Sequence, residues 1–122
     1  MNAITREQIF EEFSLRQREI LLAKGNDYAT EDVLSNFKLA GNIANQNSDN
    51  AAMVSCLNAI ATKVARLGNL INSGIMAQNE SISDSIIDLA NYSFLLHCLH
   101  VEEIPVAELH SEATMMVASY DR

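Results

Sequence analysis

Residues 50–71 read NAAMVSCLNAIATKVARLGNLI, and this stretch constrains the fold more tightly than any other. Its apolar residues Met53, Val54, Leu57, Ile60, Ala61, Val64, Leu67 and Ile71 recur at helical spacing and form one broad stripe. Proline and carboxylates are absent from it, and Lys63 and Arg66, i,i+3 neighbours, are its only charges. A polar break, NQNSDN at 45–50, precedes it, and Asn72, Ser73 and Gly74 close it. A helix of this length with one apolar stripe needs other helices to cover that stripe.

The neighbouring segments supply them. Downstream, Ser81-Ile82-Ser83-Asp84 resembles a capping box and opens a helix to about Glu102. The middle of that helix, LANYSFLLHCL at 89–99, is apolar almost all round, so it is expected to be the most buried element. Pro105 can open a last helix of roughly 12 residues carrying Leu109, Met115, Met116 and Val117. Upstream, a short helix is expected from Glu31 or Asp32 to Ala44, apolar through Val33, Leu34, Phe37 and Ile43. A first helix runs from a Thr5-Arg6-Glu7-Gln8 capping box to Lys24, with Gly25 as its left-handed stop and Ile9, Phe10, Phe13, Ile20 and Leu21 as its apolar face. With one proline and no strand-like alternation, residues 1–122 read as a single all-α domain, a compact four- to five-helix bundle.

Composition excludes several roles. The formal net charge is −8, with only eight Lys and Arg, which disfavours a duplex nucleic-acid surface. No apolar run reaches the roughly 18 residues of a membrane span. The N-terminus carries Glu7, Glu11 and Glu12 instead of a basic-then-apolar signal, so the expected location is cytoplasmic. Cys56 and Cys98 sit within apolar helical patterns and read as free thiols. His97-Cys98-Leu99-His100 has the wrong spacing for a zinc site. The apolar fourth helix, with Met115, Met116 and Val117, offers more apolar face than a small bundle needs, so a dimer or higher even-numbered homo-oligomer is expected.

Three polar constellations remain. The stretch KGNDYATEDVLSNFK at 24–38 places Lys24, Asp27, Glu31, Asp32, Asn36 and Lys38 beside Tyr28 and Phe37. Lys63 and Arg66 form the second. Glu80, Asp84, Asp88, Asn91 and Tyr92 form the third, with Asp84 and Asp88 stacked i,i+4 and Asn91 and Tyr92 one turn further. Asp88, set in Ile86-Ile87-Asp88-Leu89-Ala90, must be paired, hydrogen-bonded or bound to a cation. The plainest reading is registry: Lys63 and Arg66 pair with Asp84 and Asp88 on an antiparallel neighbour, and Asp27 or Thr30 caps a helix. The functional reading is a cleft that grips a flat, charged ligand.

The order KGNDYA, NFK, KVARLGNL and NESISDSIIDLANY resembles the nucleotide modification associated domain 1 family, a frequent phage-encoded group similar to the MazG-type all-α NTP pyrophosphatases. The resemblance covers residues from about 18 to 96. It implies an all-α NTP-pyrophosphatase-like bundle whose cleft receives a nucleotide. It assigns Lys24, Asp27 and Tyr28 to a loop motif, Lys63 and Arg66 to a second, and Glu80, Asp84, Asp88, Asn91 and Tyr92 to a third. One departure matters: the MazG type holds Mg²⁺ with a Glu-x-x-Glu pair on one helix and a Glu-x-x-Asp pair on the next. Here Lys63 and Arg66 stand at the comparable place. Mg²⁺ on Asp84 and Asp88 beside two fixed cations is electrostatically disfavoured, whereas Lys and Arg hold phosphate oxygens unaided.

Two functions follow as expectations. In the first, Lys24, Lys38, Lys63 and Arg66 grip phosphate, Tyr28 or Tyr92 stacks a base, and Asp27 and Asn91 read its edges, with no cofactor required. A small phage protein of this kind, in the host cytoplasm, could act as a sponge for a host immune nucleotide signal. In the second, a Mg²⁺-dependent pyrophosphohydrolase, or a nucleotide-modification accessory enzyme, uses Glu80, Asp84 and Asp88 as metal ligands. Asp27 or Glu31 would complete that shell. Neither reading assigns a catalytic residue.

Overall fold

A computed structural model of the chain describes residues 1–27, 32–44, 49–73 and 81–103, and the side chains of all of these except 25–27. They form four helices: α1 (Ala3–Asp27), α2 (Ser35–Ala44), α3 (Ala51–Ser73) and α4 (Ile82–Glu103). The fold is an all-α bundle, with no strand among the described residues. Tyr28, Glu31, Gly74, Glu80 and the helix expected after Pro105 lie outside them.

Helices α3 and α4 fall within two residues of their expected bounds. Ser81 caps α4, its hydroxyl accepting the Asp84 N–H at 3.1 Å. Helix α2 begins later than expected. Asp32 first folds a turn, in which its carboxylate accepts the Leu34 N–H at 3.0 Å and its carbonyl accepts the Ser35 N–H at 3.1 Å. Both ends of α1 differ from the expectation. Asn2, not Thr5, is the cap, since its side-chain oxygen accepts the Thr5 N–H at 2.8 Å. Gly25 does not stop the helix, which continues to Asp27. A glycine costs a helix about 1 kcal/mol relative to alanine and terminates it only where the chain turns.

The core sits among α2, α3 and α4. Leu34, Cys56 and Leu99 form its buried centre, with Phe37, Ala52, Met53, Ile60, Leu95, Leu96 and Cys98 packed around them. Helices α2 and α3 approach so closely that a Cβ on Gly41 would lie 2.5 Å from the Ala51 carbonyl, which makes glycine obligatory there. Helix α4 holds more buried residues than any other described helix: Ser85, Ile87, Asn91 and Leu99. It is not covered all round, because Ile82, Ile86 and Phe94 are exposed.

Three expected apolar faces are only partly used. In α1, Phe13, Ile20 and Leu21 are half-buried while Ile9 and Phe10 face solvent. In α2, Leu34 just before the helix and Phe37 within it turn inward, and Val33 and Ile43 turn outward. The broad α3 stripe splits lengthwise. Met53, Val54, Ile60 and Leu67 are half-buried, whereas Leu57, Ala61, Val64 and Ile71 are exposed. Helix α1 makes its main contact with α4. None of the described helices is long and apolar enough to cross a membrane.

Candidate functional site

Lys24, Lys63, Asp84 and Asp88, four of the charged residues that the sequence singles out, meet where α4 is approached by α1 and α3. Asp84 and Asp88 stand one turn apart on α4, so their carboxylates project from one face. Asp88 sits between two helices. Its Oδ1 accepts from Lys24 Nζ of α1 at 3.0 Å, and its Oδ2 accepts from Lys63 Nζ of α3 at 3.0 Å. The side chains of Asp88 and Lys63 are 15% and 16% exposed, and that of Lys24 is 50% exposed, so one bridge is largely dry and the other opens to water. Asp84 takes a different partner, Arg16 of α1.

Electrostatics agrees with the geometry. Burial pushes the Asp88 carboxyl up, and hydrogen bonds from Lys24 and Lys63 more than reverse it, leaving Asp88 below its ordinary value. The cluster comprises Arg16, Lys24 and Lys63 around Asp84 and Asp88, three cations to two carboxylates. The chain as a whole carries a net charge of −8, and Glu12 stands one turn before Arg16 on the same face of α1. Arg66 stands one turn beyond Lys63 on α3 and is exposed.

Asn91, one turn from Asp88, is 6% exposed. Its amide N–H donates to the Gln17 carbonyl of α1 at 3.3 Å, and its Oδ1 is buried without a protein partner. The Ser85 hydroxyl, on the opposite side of Asp88 in sequence, is also buried and unpartnered. Buried polar atoms of this kind need a bound water or ligand group to satisfy them.

Not every expected residue joins this cluster. Lys38 bridges Asp32, at 2.5 Å, and Glu102, at 3.0 Å. Glu102 is fourteen residues beyond Asp88 on the same helix, which separates them by about 21 Å at the helical rise. Lys38 therefore does not reach a phosphate held by Lys63. The Asp32 hydrogen bond, and then that of Glu102, raise the Lys38 ammonium above its ordinary value. The Tyr92 ring meets Phe37 edge-on, with centroids 6.1 Å apart and planes at 74°, so one edge of it is committed to the core side. Tyr28, Glu80 and the Asp27 side chain lie outside the described residues.

Arg16 is the member that the sequence reading missed. Its signal was present, because Arg16, Ile20 and Lys24 recur at i,i+4 and put both cations on one face of α1. The expected pairing of Lys63 and Arg66 with Asp84 and Asp88 is met for Lys63 with Asp88, while Asp84 turns to α1 instead.

Asp84 and Asp88 each already hold a cation, and the described residues contain no group of three or more His, Cys, Asp or Glu positioned for a metal. Mg²⁺ at Asp88 would have to displace Lys24 and Lys63 from it, and the other expected metal ligands, Glu80, Asp27 and Glu31, lie outside the described side chains. No family model, curated protein or solved structure matches the chain.

Proposed function

We propose that this protein binds a phosphorylated nucleotide at the α1–α3–α4 junction and holds it without cleaving it. The observation that carries the reading is Asp88 held between Lys24 and Lys63 beside Arg16. These three cations converge from two helices on one junction of an acidic protein, where a phosphate can accept further charge-assisted hydrogen bonds from them. A phosphate can accept further N–H groups of the half-exposed Lys24 while Asp88 keeps its own bonds, and Arg66 extends the cationic edge. Asn91 and Tyr92 follow Asp88 within about a turn of α4, and on this reading they would meet the sugar or base.

The resemblance to the nucleotide modification associated domain 1 family supports the same ligand class. A phage origin and a sponge role toward host nucleotide signals extend this proposal. The alternative, a Mg²⁺-dependent pyrophosphohydrolase, requires Asp84 and Asp88 to give up their cations to the metal, and the ion pairs weigh against it.

The test is incubation of the protein with a panel of nucleotides, with and without Mg²⁺, followed by removal of free ligand, denaturation and mass analysis. Intact nucleotide, bound equally in both conditions, is the expected result. Cleaved product with Mg²⁺ would select the hydrolase, and no captured nucleotide would reject both. Lys24→Ala, on the exposed arm of the bridge, should weaken capture by about tenfold or more while leaving the melting temperature nearly unchanged, as expected for one lost charge-assisted contact.

A further inference from the structure

Helix α3 carries an outward face on which Leu57, Val64 and Ile71 are 55%, 51% and 59% exposed. Ala61 is also exposed, and a Cβ on Gly68 would meet nothing within 4 Å. The spacing of 57, 61, 64, 68 and 71 alternates four and three residues, the repeat of a seam between two helices. The face is uncharged, because Lys63 is committed to Asp88 toward α4 and Arg66 lies well round the helix from it. Helix α2, packed along α3, adds exposed Leu39 and Ile43. Neither helix contains a carboxylate. Apolar exposure on this scale exceeds the scattered surface residues of an ordinary monomer.

We propose that this face of α3 joins a second copy of the same chain across a two-fold axis, with the two α3 helices antiparallel. Side-chain sizes select that occupant. Along the seam they run large, small, large, small, large. An antiparallel copy shifted so that Leu57 faces Gly68 also sets Val64 opposite Ala61. Both contacts repeat on the other side of the axis, as a two-fold interface requires. Leu57 and Val64 then each enter the space left by a small residue, and Ile71 meets the half-buried Val54. Charge favours it too: two copies of a −8 chain repel, and the two helices on this face contribute no carboxylate of their own, the nearby Asp32 and Glu102 being paired with Lys38. The inference does not depend on nucleotide binding.

Light scattering at tens of micromolar should give twice the 13.5 kDa chain mass. Val64→Glu, at a half-exposed position the fold tolerates, should weaken association at least tenfold with unchanged helical circular dichroism. In a Cys98→Ser background, Leu57→Cys with Gly68→Cys should cross-link two chains on mild oxidation. A monomeric native protein would overturn the proposal and leave the face to solvent or to residues 104–122. A Val64→Glu protein of undiminished mass, or a dimer that fails to cross-link, would move the interface elsewhere.

Discussion

Helices α1 and α3 both lie against α4, and they do so by different chemistry. The α3–α4 contact is a core: Cys56, Ile60, Leu95 and Leu99 close on one another, and the Lys63–Asp88 bridge lies at one end, mostly dry. The α1–α4 contact relies on polar links, Arg16 to Asp84, Lys24 to Asp88 and Asn91 to the Gln17 carbonyl, with Ile9 and Phe10 left in solvent. Apolar burial is non-directional and supplies most of the folding free energy, whereas exposed ion pairs fix position and contribute little. The two regions therefore divide the work. Helix α3 makes α4 stable, and α1 places charges beside it.

Substitutions can break that contrast. Leu99→Ala, at the centre of the α2–α3–α4 core and 3% exposed, should cost about 2–5 kcal/mol in denaturant unfolding. A loss below about 1 kcal/mol would mean that the core is not where the stability resides. Asp88→Ala comes next, at roughly 2–4 kcal/mol, because it removes the carboxylate that meets the Lys63 ammonium in a nearly dry setting. Adding Lys63→Met should recover much of that loss, and failure to recover it would argue that Asp88 acts through something other than this pair. Acid should tell the same story. Asp88 is held below its ordinary value when folded, so its contribution is present above the unfolded carboxylate value near 3.9. It is lost as pH falls below about 4 through the folded value. The native protein should lose more stability than Asp88→Ala over that interval, and parallel acid curves would contradict the assignment. The smallest effect belongs to α1. Arg16→Ala and Phe10→Ala should each change stability by about 0.5 kcal/mol or less, since Phe10 is 68% exposed and the Arg16–Asp84 pair is wet. A large loss from either would erase the distinction between the two helices.

How much of this the sequence disclosed follows the same division. Helices α3 and α4 were legible because their apolar runs end at polar breaks and Ser81 caps as its motif suggests. The ends of α1 were not, because Asn2 and Thr5 offer equivalent caps and a glycine reads as a stop whether or not the chain turns there. The apolar stripe of α3 was visible as an arc, but periodicity does not say which half of an arc a neighbour covers. In the cluster, the Lys63–Asp88 pairing was foreseeable from a carboxylate set in apolar sequence. The approach of Arg16, 68 positions away, depends on how α1 crosses α4, which local spacing does not encode. Lys38 illustrates the converse error: closeness to Lys24 in sequence suggested a shared site, and the length of α4 separates them.

Cys56 offers a built-in clock for the junction. Its side chain is fully enclosed, its Sγ donates to the Tyr92 carbonyl at 3.5 Å, and burial pushes its pKa up to about 11. Only the thiolate attacks an alkylating reagent, so Cys56 is silent until α3 and α4 part. With the half-exposed Cys98 changed to serine, the labelling rate counts openings of the seam that positions Lys63 against Asp88. A ligand that bridges those helices would slow the count in proportion to its occupancy. Protein and reagent alone would then report binding, with no dye, tag or knowledge of the ligand's chemistry.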